Sequence, residues 1–150
     1  MFVYYSIIIG GLYIWIDELT SVPLDSKHPS LAIVFGGIVY FILQYWLSGY
    51  ACAHNWPLQQ VHAVLIATMM GSFALFDRSP TVLAVGAATG LGGPLIELFL
   101  INQLHLYCYT QADFFGIDSW IPWVYAAGTP AVGNLARAYR VFFSTPRGKS

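Results

Sequence analysis

Five apolar stretches, at about 1–16, 31–49, 57–76, 81–101 and 119–143, take up most of this chain and leave only short connections between them. A helix needs about 20 mostly apolar residues to cross the hydrocarbon core of a bilayer. Inside that core each backbone N–H and C=O must be satisfied within the protein, which for isolated apolar segments means helices. Charged residues are 9% of the chain and hydrophobic ones 57%, with a mean hydropathy of +0.63, where a soluble domain carries about 25% charged residues. The expected fold class is therefore an all-α integral membrane protein, a bundle of five transmembrane helices forming one domain over 1–150. There is no room for a soluble domain, so function resides in the bundle and its rims. The first stretch, Met1 to Ile16, reaches only about 24 Å as a helix, so it tilts little or lacks upstream residues. It has no basic leader region and no small-residue cleavage site, so it is read as a retained span.

The basic residues orient the bundle. Lys27 lies between the first and second stretches, Arg78 between the third and fourth, and Arg137, Arg140, Arg147 and Lys149 close the chain. Basic residues gather on the cytosolic side of membrane proteins, so the carboxyl end is expected there. The formal charge of −1 implies no nucleic-acid partner. Helix starts are marked by Pro57, by Ser79-Pro80 and by Ser119 with Pro122, and kinks are expected at Pro94 and Pro130. Gly86 and Gly90, with Gly92-Gly93, form a smooth strip that lets a neighbouring backbone approach, which makes the fourth helix the expected centre of the bundle. Gly36-Gly37 and Gly128 are expected to help the same packing.

Polar groups at membrane depth need a partner or a purpose, and Gln44, Gln60, His62, Thr68, Glu97 and Asn134 are the candidates. Gln60, Val64, Ala67 and Gly71 share one face of the third helix. That face suits an apolar ligand with one hydroxyl, although Gln60 is equally able to bond a neighbouring helix. Glu97 is either a proton site or a carboxyl resting near the interface. Cys52 and His54 on one loop and His105 and Cys108 on another allow a disulfide or a four-ligand metal site, but the spacing is irregular for zinc and free buried thiols are the default. The chain has no G-x-S-x-G, no H-E-x-x-H and no P-loop, so it is not read as an enzyme, and neither a cofactor nor a metal is expected.

Phe76-Asp77-Arg78-Ser79 resembles a motif of the Insig family, the insulin-induced-gene proteins of the endoplasmic reticulum. Further short matches follow in order: Tyr109-Thr110 with Asp113-Phe114, Ser119-Trp120-Ile121-Pro122, and Ala127-Gly128 through Gly133-Asn134 to Arg137. Gly11-Leu12-Tyr13 to Ile16-Asp17 resembles the family's second span, so the resemblance covers about residues 11–139. It implies a non-catalytic regulator of lipid homeostasis in the endoplasmic reticulum membrane. Such a protein binds oxysterol and retains Scap-like sterol-sensing proteins and hydroxymethylglutaryl-CoA reductase. By position, Gln60 falls on the family's sterol-pocket glutamine, while Phe73 and Val64 stand where the family has a tryptophan and a threonine; these two changes keep an apolar wall and remove polar handles. Leu43 and Tyr45 are alternative matches for a pocket aromatic on the second helix. Asp77 matches the aspartate needed for Scap association, and it is expected to be exposed at the cytosolic rim, where it also caps the fourth helix. The family has six spans and the first has no counterpart here. The alternative reading is a lipid-binding or lipid-moving protein with a diacylglycerol-like ligand and no Scap-type partner. Self-association is left open.

Overall fold

The structure is a computed structural model that describes residues 2–20 and 28–144; Lys27, Arg147 and Lys149 of the orientation argument lie outside the described residues. The described chain is all helical but for loops and one isolated bridge between Phe114 and Ile117. The helices are α1 (Phe2–Leu19), α2 (Leu31–Ala53), α3 (Leu58–Phe76), α4 (Pro80–Asn102), α5 (Ile121–Ala127) and α6 (Thr129–Ser144). Three of them, α2, α3 and α4, are long and apolar enough to cross a membrane. Large apolar side chains such as Ile8, Trp15, Phe35, Leu83, Leu91 and Phe99 point outward, while Asp17, Gln44, Asp77, Glu97, Asn134 and Arg137 are buried.

The helix bounds follow local chemistry. Helix α1 runs past Ile16 because Asp17 turns inward, and α2 runs on to Ala53 because nothing breaks it before Asn55, which takes a positive φ of 51° just ahead of Trp56-Pro57. Ser79 and Pro80 start α4 as expected, but the Ser79 hydroxyl makes no cap bond. The fifth stretch departs most from expectation. It starts at Ile121 rather than at Ser119, and it is two helices meeting at Gly128 rather than one kinked helix. Pro130 explains the break, because it has no N–H to give and its ring crowds the carbonyl one turn back. Neighbouring hydroxyls steady the junction: Ser72 donates to the Ala127 carbonyl at 3.1 Å, and Thr89 pairs with Thr129 at 3.1 Å. Such side chains are what let an interrupted helix persist away from water.

This broken segment is the axis of the fold. Helix α5 packs on α4 and α3, and α6 packs on α1 and α2, so the centre expected for α4 alone is shared with it. Small residues set the approach. A Cβ on Gly90 would lie 3.1 Å from the Pro122 carbonyl, so α4 and α5 touch backbone to backbone. A Cβ on Gly133 would fall 2.3 Å from the ring of Tyr13, which is fully buried between α1 and α6. Gly37 similarly admits Ala131, and Gly128 admits Phe41. Three apolar clusters fill the spaces, around Leu65 and Val124, around Tyr13 and Val85, and around Ile101 and Ile121.

Gly133→Ala should therefore lower the thermal unfolding temperature of the detergent-purified protein, with an overpacking cost of about 1–3 kcal/mol. The same change at Gly92, where a Cβ meets nothing within 4 Å, should be close to neutral in that assay.

Candidate functional site

Two polar constellations stand inside this apolar bundle, one at each end. At the first, Arg137 on α6 joins α1 to the start of α4. Its Nε and Nη2 donate to the two Asp17 carboxylate oxygens at 2.5 and 2.7 Å, and its Nη1 donates to Asp77 Oδ2 at 2.7 Å. The guanidinium also lies over the Tyr13 ring, 4.7 Å from its centroid, a favourable placement for a cation. Tyr13 donates its hydroxyl to Asp77, Thr81 donates to Asp17 at 2.6 Å, and the Ser79 N–H donates to Asp77 Oδ1 at 2.8 Å. The side chains of Arg137, Asp17 and Asp77 are each no more than 3% exposed. By contrast the Arg140–Glu18 pair is about half exposed and contributes little.

This arrangement corrects the expectation for Asp77. The carboxylate is buried and committed to Arg137 and Tyr13, and it meets the surface only as part of a rim cleft of about 340 Å³ shared with His28, Ser30, Arg78 and Asn134. Its capping role holds in modified form, since it receives the N–H of Ser79, the residue before α4. Arg137 and Asp17 were not singled out as a pair from the sequence: Arg137 counted among the basic residues that orient the bundle, and Asp17 only as the end of a stretch that resembles a family span. A signal did exist: Gly10, Tyr13 and Asp17 recur at helical spacing, as do Gly133 or Asn134 and Arg137.

At the other end, a cavity of about 440 Å³ opens between α2, α4, α5 and the loop that precedes α5. Phe41, Ile42 and Tyr45 on α2 and Ile121 and Val124 on α5 make it apolar, a size and character typical of small-molecule pockets. Glu97 on α4 supplies its polar wall. Three tyrosine hydroxyls converge on that carboxylate: Tyr107 at 2.9 Å and Tyr109 at 2.6 Å on Oε2, and Tyr125 at 2.5 Å on Oε1. Burial, and then the hydrogen bond to Glu97, push the Tyr109 hydroxyl well above its ordinary range, so it stays a donor. The cluster pins the loop against α4 and α5.

The residues predicted from the third helix are not on this wall. Gln60 is exposed, Val64 is half-buried, and Phe73 turns its ring toward Gly86 of α4. Of the two alternatives on α2, Tyr45 lines the cavity, whereas Leu43 points outward. The remaining polar candidates are used in helix contacts: Gln44 donates to the Leu65 carbonyl at 3.3 Å, Thr68 bonds back to its own helix, and Asn134 donates to the Phe76 carbonyl at 2.9 Å. His62 accepts from the Trp123 indole at 2.8 Å through Nδ1, so its Nε2 carries the proton that faces Ser119 at 3.0 Å. The Ser119 hydroxyl and N–H both go to Asp113, each at 2.6 Å, which is why Ser119 does not cap α5. The cysteines are unpaired here, Cys52 half-buried and Cys108 exposed rather than buried.

Arg137→Met should destabilise the protein by about 3–5 kcal/mol, because two carboxylates are left facing each other without a counter-charge. Adding Asp17→Asn and Asp77→Asn to that variant should recover part of the loss in chemical denaturation, since the repulsion is then gone. For the loop, burial opposes ionisation of Asp113, but the Ser119 hydroxyl and N–H outweigh it and hold the carboxyl below its usual range. A lowered folded-state pKa stabilises the loop above the unfolded value and the contribution is lost as the pH falls through the lowered one. Tryptophan fluorescence should report loop release in that acidic window, and Asp113→Asn should flatten the response.

No family model matches the chain. It is 29% identical over 130 residues to the insulin-induced gene 1 proteins of Xenopus laevis and Homo sapiens and 28% identical to that of Danio rerio. Each match takes in 87% of this chain but 50%, 46% and 50% of those relatives, so the chain spans about half the length of the curated relatives it matches. Among solved structures, a cross-linked trimer of MvINS superposes with a TM-score of 0.72 over 97% of this chain and 70% of that one, at 20% identity, and so has the same fold. The sequence matches support an Insig-like relationship.

Proposed function

We propose that this chain is a multi-pass membrane regulator of sterol homeostasis that holds an uncharged lipid in the cavity between α2, α4 and α5. The observation that carries the reading is that cavity: apolar along its length, polar at one end, and bordered by a surface of outward apolar side chains. The ligand class is oxysterol or another lipid of similar polarity, and no catalysis is involved. In this reading the chain sits in the endoplasmic reticulum membrane, as the family resemblance implies, with its carboxyl end cytosolic, as its basic residues imply. There it retains Scap-like sterol-sensing and reductase-type partners.

Asp77 serves partner binding through shape. It ties the start of α4 to α1 and α6, and its rim cleft with His28, Arg78 and Asn134 is the surface a partner's loop meets. Gln60 and Val64 lie on a second, outer strip of α3 that suits a sterol shared with a partner helix, while Phe73 stiffens that helix from behind by packing toward α4. A diacylglycerol-like ligand acting without a partner is the second reading; it is favoured by the cavity lying away from Gln60.

Mass spectrometry of lipids retained by the purified protein tests both. A sterol or diacylglycerol should co-purify, and Val124→Trp, which fills the cavity, should reduce its occupancy at least about tenfold. Gln60→Ala should affect only a sterol bound on the outer strip. Retention undiminished by Val124→Trp would remove the cavity from the account.

A further inference from the structure

The polar wall of the cavity is unusual for a lipid site because its central group is a buried carboxylate. Glu97 is 6% exposed and receives three tyrosine hydroxyls, an arrangement that solvates a negative charge in place of water. Among the described residues no cation answers it: neither lysine nor arginine lines the cavity. A carboxylate offers about four acceptor directions. Two tyrosines take Oε2 and one takes Oε1, which leaves Oε1 room for one more donor. The rest of the lining is mainly hydrocarbon and aromatic ring; its other side-chain polar groups are neutral, namely the Tyr45 hydroxyl, the Trp120 indole N–H and the Ser48 hydroxyl, which already donates to the Tyr45 carbonyl at 2.7 Å.

We infer that Glu97 makes this cavity selective for lipids whose head group is an uncharged hydroxyl, and that it excludes the anionic counterparts of the same lipids. The hydroxyl donates its proton to Glu97 Oε1 while the hydrocarbon lies along Phe41, Ile42 and Val124. A phosphate, sulfate or carboxylate head group has no proton to give and meets a second negative charge in a medium that screens poorly. The inference rests on the lipid-cavity reading above and adds the charge rule that selects the occupant. Sterols and diacylglycerols share the required chemistry, so each is tested with its own anionic partner.

The experiment uses the full chain in non-ionic detergent, with binding read by native mass spectrometry for two matched pairs: cholesterol against cholesterol sulfate, and dioleoylglycerol against dioleoyl phosphatidic acid. The wild type should favour the neutral member of at least one pair by about tenfold or more, since like charges brought together in a poorly screening medium repel. The pair that shows the preference identifies the source of the lipid. Glu97→Gln keeps an acceptor and the side-chain shape while removing the charge, so it should keep neutral-lipid binding and bring the pair within about twofold. Gly49 borders the cavity, and a Cβ there meets nothing within 4 Å. Gly49→Lys adds a cation without disturbing Glu97 and should shift the ratio toward the anionic lipid, which decides the matter if the Glu97 variant does not fold. Equal binding of both members by the wild type, or a ratio unmoved by either substitution, would overturn the role of Glu97 and leave the lipid cavity standing. Failure to bind any of the four lipids would overturn the cavity reading itself.

Discussion

One guanidinium holds this fold in register. Arg137 gathers Asp17 from α1 and Asp77 from the turn before α4 while standing on α6, so three segments far apart in sequence are fixed at one point. In a bundle whose outer surface is apolar, helices gain little from burying hydrocarbon against one another. Packing of small residues brings them close, but it does not say which face meets which. Paired charges do, because any other rotation of α1 or α6 leaves an ion without a partner where none can be afforded. Tyr13 links the two mechanisms: its ring fills the notch at Gly133 and faces the guanidinium, and its hydroxyl goes to Asp77.

The opposite end is organised by the same rule with a different donor set. Glu97 pairs with no cation among the described residues and instead collects hydroxyls from two loop tyrosines and one on α5. The loop between α4 and α5 therefore owes its path to the carboxylate it covers. A second chain of hydrogen bonds, from Trp123 through His62 and Ser119 to Asp113, ties that loop to α3. The two ends also divide labour. The triad joins α1, α4 and α6 into a frame, while α5, set apart by the break at Gly128, forms a wall of the cavity.

Helical architecture was legible in the sequence because apolar length and proline positions are local signals, and the small-residue approaches were visible in Gly90, Gly37 and Gly128. The break at Gly128 was only half legible. Pro130 marks the place, but whether a helix kinks or divides depends on Ser72 and Thr89, which come from other segments. The site was less legible still. Gln60 and Val64 share one helix face and Phe73 lies on nearly the opposite one; which face meets the cavity is decided by rotation, and rotation is set by distant pairs such as Arg137 with Asp17. Glu97 was noticed as a polar residue at depth, yet its three tyrosines lie 10, 12 and 28 positions along the chain, a spacing that carries no periodic mark. Asp77 was located correctly at a rim and wrongly in its exposure, because a partner 60 residues away covers it.

The tyrosine-pinned loop has a consequence for how the cavity is loaded. Tyr109 and Trp120 stand across its loop end, whereas Ile42 and Tyr45, both on its α2 wall, are 58% exposed on the outer flank. If the proposed lipid function holds, this flank is the way in, sideways between the helices. On that proposal, occupancy would track the mole fraction of the lipid in the surrounding leaflet, and a threshold composition of the bilayer, with no dissolved messenger, would be the quantity read.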